Sequence, residues 1–322
     1  MDALLEVRDL SKIFHPGGGR RIRAVNGVSL GVGRNSVLGV VGESGCGKST
    51  LGRLMMRLIT PTEGQVFFRG QEISALGRRA LLPFRRAMQM VFQNPFASFN
   101  PRMRVLDALM EVCRYYGMTG GEGLKRIEGL FEDTGLSREL LGRWPRELSG
   151  GQSQRLAITR ALLSDPALIV ADEPLSALDV SVQAQLLNLL EDLRETRGTA
   201  MVFISHDMTA VEYLSDTVAV MYLGSVMELA GAEELFGGTV HPYTRTLMEA
   251  VPRLEAGLRN QERRPPSVKE AEKRDREAAM SGSGPSACPF APRCREAVPR
   301  CRVEAPSPRE VSPGHFASCH LA

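Results

Sequence analysis

The sequence predicts an α/β protein, with a mostly parallel sheet, helices between its strands and a smaller region at the C-terminal end. Three observations carry that expectation. Apolar runs of strand length recur along the chain: VLGVV at 37–41, MQMVFQ at 88–93, ALIVAD at 167–172 and AMVFIS at 200–205. Amphipathic segments separate them, as in QAQLLNLLEDLRE at 183–195, where Leu186, Leu189, Leu190 and Leu193 share one helical face. Buried strands alternating with helices imply parallel pairing. The length of 322 residues has room for one large domain and an appendix.

The elements follow in chain order. Residues 1–30 read as short strands around a Gly-rich turn at His15–Arg20. The strand 37–41 then runs into a glycine loop and a helix beginning TLGRLMMRLI. The stretch of about 94–150 lacks strand runs and reads as a helical insertion. After Val251 the composition shifts, and 255–286 is rich in Arg, Lys, Glu, Pro, Gly and Ser, the signature of a flexible linker. The chain shows no internal repeat.

Bulk properties exclude some classes. A net charge of +3 is too small for electrostatic recognition of nucleic acid. The opening MDALLEVRDL has neither the basic start nor the apolar core of a secretory signal. The longest apolar runs, Val37–Val41 and Ala167–Ala171, are strand-length and far short of a membrane span. If the protein serves a membrane, it does so through other subunits. Of six cysteines, Cys46 and Cys113 stand alone, and Cys288, Cys294, Cys301 and Cys319 crowd the tail. Without a signal peptide the expected compartment is reducing, which disfavours structural disulfides.

Gly42, Glu43, Ser44, Gly45, Cys46, Gly47, Lys48 and Ser49 fit the phosphate-loop pattern G-x-x-x-x-G-K-[ST], with Thr50 following. The glycines let successive N–H groups turn toward a β-phosphate, at the positive end of the next helix. Lys48 is expected on the β- and γ-phosphates and Ser49 on Mg²⁺. Cys46 is expected to be a small structural residue. A second signal is the run Leu168–Ala171 ending in Asp172 and Glu173. Asp172 suits the Mg²⁺ shell, and Glu173 can polarise an attacking water.

Leu148-Ser149-Gly150-Gly151-Gln152 then identifies a family: the chain resembles the ABC ATPases. The resemblance implies a phosphate-loop ATPase with a RecA-like parallel core, an antiparallel β subdomain and a helical subdomain. In that family Ser149 and the backbone of Gly150 and Gly151, opening a helix at Gln152–Leu163, meet a γ-phosphate held by a second ATPase subunit. Further motifs match in the family's order. Gln93 resembles the glutamine that touches Mg²⁺ and water and senses the membrane subunit. Ser176-Ala177-Leu178-Asp179 resembles the loop that crosses the dimer interface. His206 resembles the histidine that contacts the γ-phosphate and steadies water near Glu173. Phe14 falls where an aromatic ring stacks on adenine. The implied catalytic set is Glu173, His206, Gln93 and Lys48. Ser153 and Thr159 depart from the arginine and alanine common in the family.

Three features resemble the dipeptide, oligopeptide and nickel uptake branch: QNPFASFNPR at 93–102, HPYTRTL at 241–247, and the tail Cys288-x5-Cys294-x6-Cys301-x17-Cys319. The branch implies two membrane-spanning permease subunits, an extracytoplasmic binding protein, and a peripheral place on the cytoplasmic face of the membrane. It implies peptide cargo, with nickel or metal-chelate uptake as the alternative; soluble ABC ATPases usually carry two cassettes, a long coiled coil or a zinc module inside the cassette, and none of these reads in the sequence. Four thiolates can hold zinc or an iron–sulfur cluster. The x5 and x6 spacings fit zinc knuckles poorly, and the resemblance favours [4Fe–4S], with zinc, free thiols or redox disulfides as alternatives. His320, beside Cys319, is a possible substitute ligand. The expected division is a nucleotide-binding domain at 1–238 and a C-terminal region at 239–322, the latter with a cysteine tail at 287–322.

Overall fold

The computed structural model describes residues 3–18, 20–176, 178–250 and 287–322. The charged linker expected at 255–286 lies outside them. In chain order the strands and helices begin with β1 (Leu5–Gly17), β2 (Arg20–Val32), β3 (Val37–Val41), α1 (Lys48–Met55), β4 (Glu63–Phe68), β5 (Gln71–Glu72), α2 (Leu82–Ala87) and β6 (Met88–Val91). The insertion contributes α3 (Val105–Tyr115), α4 (Gly120–Asp133) and α5 (Gly150–Leu162). Then come β7 (Leu168–Asp172), α6 (Val180–Arg197), β8 (Ala200–Ile204), α7 (Met208–Leu214), β9 (Thr217–Tyr222), β10 (Ser225–Gly231), α8 (Ala232–Gly237) and α9 (Pro242–Glu249). The tail adds β11 (Arg309–Ser312) and β12 (His315–Ala317).

The main sheet has the order β11-β12-β10-β9-β3-β8-β7-β6. Its centre is parallel: β3 pairs with β8 and β9, and β7 pairs with β8 and β6. β3 and β8 are buried along their whole length, as their continuous apolar runs require. A second, antiparallel sheet has the order β2-β1-β4-β5. Its first two strands are 13 residues each, longer than the short strands the sequence suggests. Bulges explain the difference, because each register shift breaks the polar–apolar alternation that marks a continuous strand.

Between 94 and 150 the described chain is helical or irregular, as expected. A 3-10 turn at Pro95–Ser98 precedes α3, and Thr119 opens α4 with a capping box to Glu122. In α6, Leu186, Leu189, Leu190 and Leu193 are the buried residues, and Gly198 closes the helix at φ 62°.

The tail is built into the main sheet. Glu228↔Ala317 and Leu229↔Phe316 pair β10 with β12. Phe290 and Cys301 pack in the same apolar cluster as Val220 and Tyr222 of β9. The fully buried Glu228 carboxylate ties the pieces together. It accepts from the N–H groups of Val240 (2.7 Å) and His241 (3.1 Å) and faces His315 Nε2 at 2.8 Å. His241 caps α9, its Nδ1 accepting from the Tyr243 N–H at 3.0 Å. Burial drives the His241 imidazole down to about 4, against the pull of Glu228. The folded state therefore favours neutral His241. Its contribution to stability is complete above the unfolded value of about 6.5 and is lost as pH falls from there toward 4, by about 3 kcal/mol. Replacing His241 with Asn keeps a capping acceptor and removes the titration. Denaturation midpoints measured from pH 7 to pH 4 are expected to fall less steeply in His241→Asn than in the native chain.

Candidate active site

The site follows from strand register. Val40 is paired with Ile204, and Ile204 with Asp172. Val91 is paired with Ala171. Four parallel strands thus end within about one residue of a common level, and residues one or two positions further on gather at the carboxyl edge of the sheet, where open α/β sheets bind ligands. Those residues are Gly42 after β3, Glu173 after β7, His206 after β8 and Gln93 after β6.

The phosphate loop needs glycine at its two ends. Gly42 (φ 147°) and Gly47 (φ 111°) lie in the left-handed region, and a Cβ on either would stand 2.1 Å from a backbone oxygen, of Met221 and Ala24 respectively. The turn between β9 and β10 braces the loop, with Gly224 N–H donating to the Cys46 carbonyl at 2.8 Å. Cys46 is buried, which pushes its thiol up. Ser44, Gly45, Gly47, Ser49 and Thr50 remain at least partly accessible.

Lys48 is 4% exposed and folds over the loop, donating to the carbonyls of Gly42 (2.7 Å) and Glu43 (3.0 Å). Ser49 Oγ donates to Asp172 Oδ1 at 2.6 Å. Burial raises the Asp172 carboxyl, and the Ser49 hydrogen bond opposes that. Glu173 is the focus of the cluster. Lys48 Nζ stands 4.0 Å from its Oε1. At its Oε2, Gln93 Nε2 donates from 3.2 Å and His206 Nδ1 lies at 3.4 Å. Glu173 adopts φ 47°, rare for a residue with a side chain, and its N–H donates to the Ile204 carbonyl at 2.9 Å. A carboxylate aimed this way can accept a proton from water. A cavity of about 550 Å³ opens beside it, with Gln93, Phe96, Gly150, Gln154 and His206 among its lining residues.

Other expected residues occupy separate stations. Phe14 is a partly exposed ring paired with Ile22, two residues before the Ala24 carbonyl that abuts Gly47, and Lys12 Nζ lies 5.3 Å from its centroid. Ser149 is the N-cap of α5, in a reciprocal capping box with Gln152. The helix thus begins at Gly150, two residues before the start read from the sequence. A Cβ on Gly151 would lie 2.6 Å from Val182, so glycine lets α5 and α6 approach. Asp179 is exposed at the start of α6, and Gln183 holds the loop before it by donating to the Leu175 and Leu178 carbonyls. Thr159 is satisfied by Arg155 and Thr134, whereas the Ser153 hydroxyl is buried without a partner among the described residues.

The tail thiols require a correction. Cys288, Cys301 and Cys319 are buried, Cys294 is half-buried, and none forms a disulfide. They lie near enough for Cys301 and Cys319 to add to the burial that raises the Cys288 and Cys294 thiols. Among the described residues, however, no three His, Cys, Asp or Glu side chains form a group that could hold a metal ion. The expected [4Fe–4S] cluster and its zinc alternative are therefore both left without an observed site among the described residues. His320 Nε2 instead faces the Glu304 carbonyl at 3.0 Å.

Sequence reasoning missed two contacts to the loop. The Glu43 N–H donates to Tyr243 Oη at 3.0 Å, and Arg293 donates to both Glu43 carboxylate oxygens at 2.8 Å. Both residues sit inside quoted motifs, yet nothing local to them points at Glu43.

The comparisons with known proteins bear on the whole chain. The ABC transporter family matches residues 25–176, and the oligopeptide/dipeptide transporter C-terminal region matches 227–301. The oligopeptide transport ATP-binding protein AppF of Bacillus subtilis is 45% identical, over 99% of this chain and 98% of its own. The chain belongs to the ATP-binding subunits of ABC transporters, in the oligopeptide/dipeptide group. Its activity is ATP hydrolysis, and membership implies ATP with Mg²⁺, a second ATPase subunit and membrane-spanning partners. Among solved structures, the ATP-binding cassette MJ0796, a dimer bound to ADP and phosphate, matches with TM-score 0.65 and 28% identity, over 71% of this chain and 98% of that one. The cbiO1 subunit from Clostridium perfringens, part of the cbiONQ transporter complex, matches with TM-score 0.66 and 26% identity, over 74% and 92%. No described helix is long and apolar enough to cross a membrane.

Adding a Cβ at Gly47 is expected to distort the loop while leaving the sheet intact. Gly47→Ala should weaken ATP binding at least about tenfold, read by displacement of a fluorescent ATP analogue, with an unchanged circular dichroism spectrum.

Proposed function

We propose that this chain drives peptide import by hydrolysing ATP, with Glu173 as the general base. The observation that carries the assignment is the convergence of Lys48, Gln93 and His206 on the Glu173 carboxylate, beside the Ser49–Asp172 pair. Phe14 stacks on adenine, and the N–H groups of Gly45, Gly47, Lys48, Ser49 and Thr50 cradle the phosphates. Lys48 leaves the loop carbonyls for the γ-phosphate when nucleotide enters. Glu173 takes a proton from the attacking water, which His206 and Gln93 orient.

The Mg²⁺ that accompanies ATP suits the oxygen donors here: the Ser49 hydroxyl, the Asp172 carboxylate and the Gln93 amide. The buried, raised Asp172 carboxyl is a site that a cation would stabilise in its ionised form. Bound there, Mg²⁺ would neutralise charge on the β- and γ-phosphates.

Ser149–Gln152 and Asp179 lie on exposed helix starts and complete the site of a partner ATPase. The exposed Phe96 and the segment to Arg102 dock on a permease subunit at the cytoplasmic face, and cargo arrives from an extracytoplasmic binding protein. Residues 1–238 form the nucleotide-binding domain and 239–322 the C-terminal region. Peptide cargo is supported by the matched C-terminal region and by the name of the Bacillus relative.

The tail cysteines offer the donor chemistry of a [4Fe–4S] cluster: four thiols, uncrosslinked, with Cys301 and Cys319 electrostatically felt at Cys288 and Cys294. Anaerobically purified protein is expected to carry about four irons per chain and to absorb broadly in the visible. Colourless, iron-free protein would rule the cluster out.

Glu173→Gln is expected to slow phosphate release by about 10²–10⁴-fold and to accumulate an ATP-bound dimer on size exclusion. Hydrolysis at the native rate would show that another group is the base.

A further inference from the structure

Glu43 stands in a loop expected to receive a polyanion, and every polar group it owns is committed. Its N–H donates to Tyr243 Oη at 3.0 Å. Its carbonyl accepts from Lys48 Nζ at 3.0 Å and from the Cys46 N–H at 3.2 Å. Its carboxylate takes a two-pronged contact from Arg293, both oxygens at 2.8 Å. The two side chains are 21% and 25% exposed, so water screens the pair only in part. Arg293 is itself fixed: its guanidinium lies 5.6 Å from the Tyr222 ring centroid and 5.8 Å from that of Phe290. The Glu43 carboxylate raises the Arg293 guanidinium above its ordinary value, although burial pulls the other way.

We propose that Arg293 is a positioning residue for the nucleotide. Its guanidinium cancels the Glu43 charge and pins the first turn of the phosphate loop, so the C-terminal tail sets how tightly the loop holds ATP. The physics is simple. A carboxylate without its partner, a few ångströms from the phosphate-binding N–H groups, repels the triphosphate and is free to pull the loop toward solvent. Arginine suits the task better than lysine, because a planar fork fixes the carboxylate's orientation as well as its charge. Tyr243 from α9 holds the adjoining N–H, so two parts of the C-terminal region grip one loop residue. Cys294 follows Arg293 directly, so the cysteine tail reaches the loop through the Arg293–Glu43 ion pair.

The proposal rests on ATP binding at the loop, and the test separates the two ideas. MgATP is titrated against a bound fluorescent ATP analogue on the full-length chain. Arg293→Met, which keeps the packing against Tyr222 and Phe290, should bind MgATP roughly tenfold more weakly at low salt. The deficit should shrink as ionic strength rises, since the lost term is electrostatic. Arg293→Lys should stay within about threefold of native, because it restores the charge. The double variant Arg293→Met with Glu43→Gln should recover to within about threefold, because the Glu43 charge beside the phosphates is removed together with its counter-charge. If Arg293→Met does not fold, Arg293→Gln takes its place. Native affinity in Arg293→Met would overturn the proposal. So would a double variant as weak as the single one, since the residue would then act only by docking the tail. A native chain that binds no MgATP would overturn the ATP reading together with this inference.

Discussion

The site depends on one constraint, the shared register of β6, β7, β8 and β3. A parallel sheet fixes the heights of neighbouring strand ends through its hydrogen bonds, and burial on both faces prevents slippage. Because Val40, Ile204 and Asp172 stand on one level and Val91 on that of the adjacent Ala171, Gln93, Glu173, His206 and the phosphate loop meet at one edge. A slip of one residue in β7 would turn Asp172 away from Ser49 and take the strained Glu173 out of reach of both Gln93 and His206. The positive φ of Glu173 is held by the adjoining Ile204 carbonyl, so the same register supports the strain.

Two other assemblies lean on that sheet. On one side the helical insertion is tied to it through α5. Arg160 donates to the Ser98 carbonyl and lies over the Phe99 ring, which links the helix capped by Ser149 to the segment after Gln93. Gly151 lets the same helix approach α6 closely. Movement of the segment proposed to dock on a permease would therefore be felt at the helix proposed to meet the partner's ATP. On the other side, β12 extends the sheet along β10, and the buried Glu228 joins β10 to the N-cap of α9 and to His315. Through α9 and the tail, Tyr243 and Arg293 come to rest on Glu43. The C-terminal region is thus continuous with the catalytic sheet.

Much of this was legible in the chain alone. The strands β3, β6, β7 and β8, the helix α6 with its four leucines, the phosphate loop and the acidic pair each lie in a contiguous stretch. Their chemistry is local: apolar runs for buried strands, glycines for a loop of N–H groups, a carboxylate at a strand end. Less legible were β1 and β2, whose bulges interrupt alternation, and the tail. There, cysteine spacing suggested a metal-binding group, but the described side chains form none that would hold a single ion.

The sequence by itself determined the parts of the catalytic machinery, because motifs such as GESGCGKS and the strand ending in Asp172 and Glu173 encode their geometry over a few residues. Only the tertiary structure decided how those parts meet. Glu173 gathers Lys48, Gln93 and His206 from three other strand ends, and Glu43 finds Arg293 across 250 residues. Such contacts arise from sheet order and strand pairing, which are set by the burial of the whole chain. No local pattern records them.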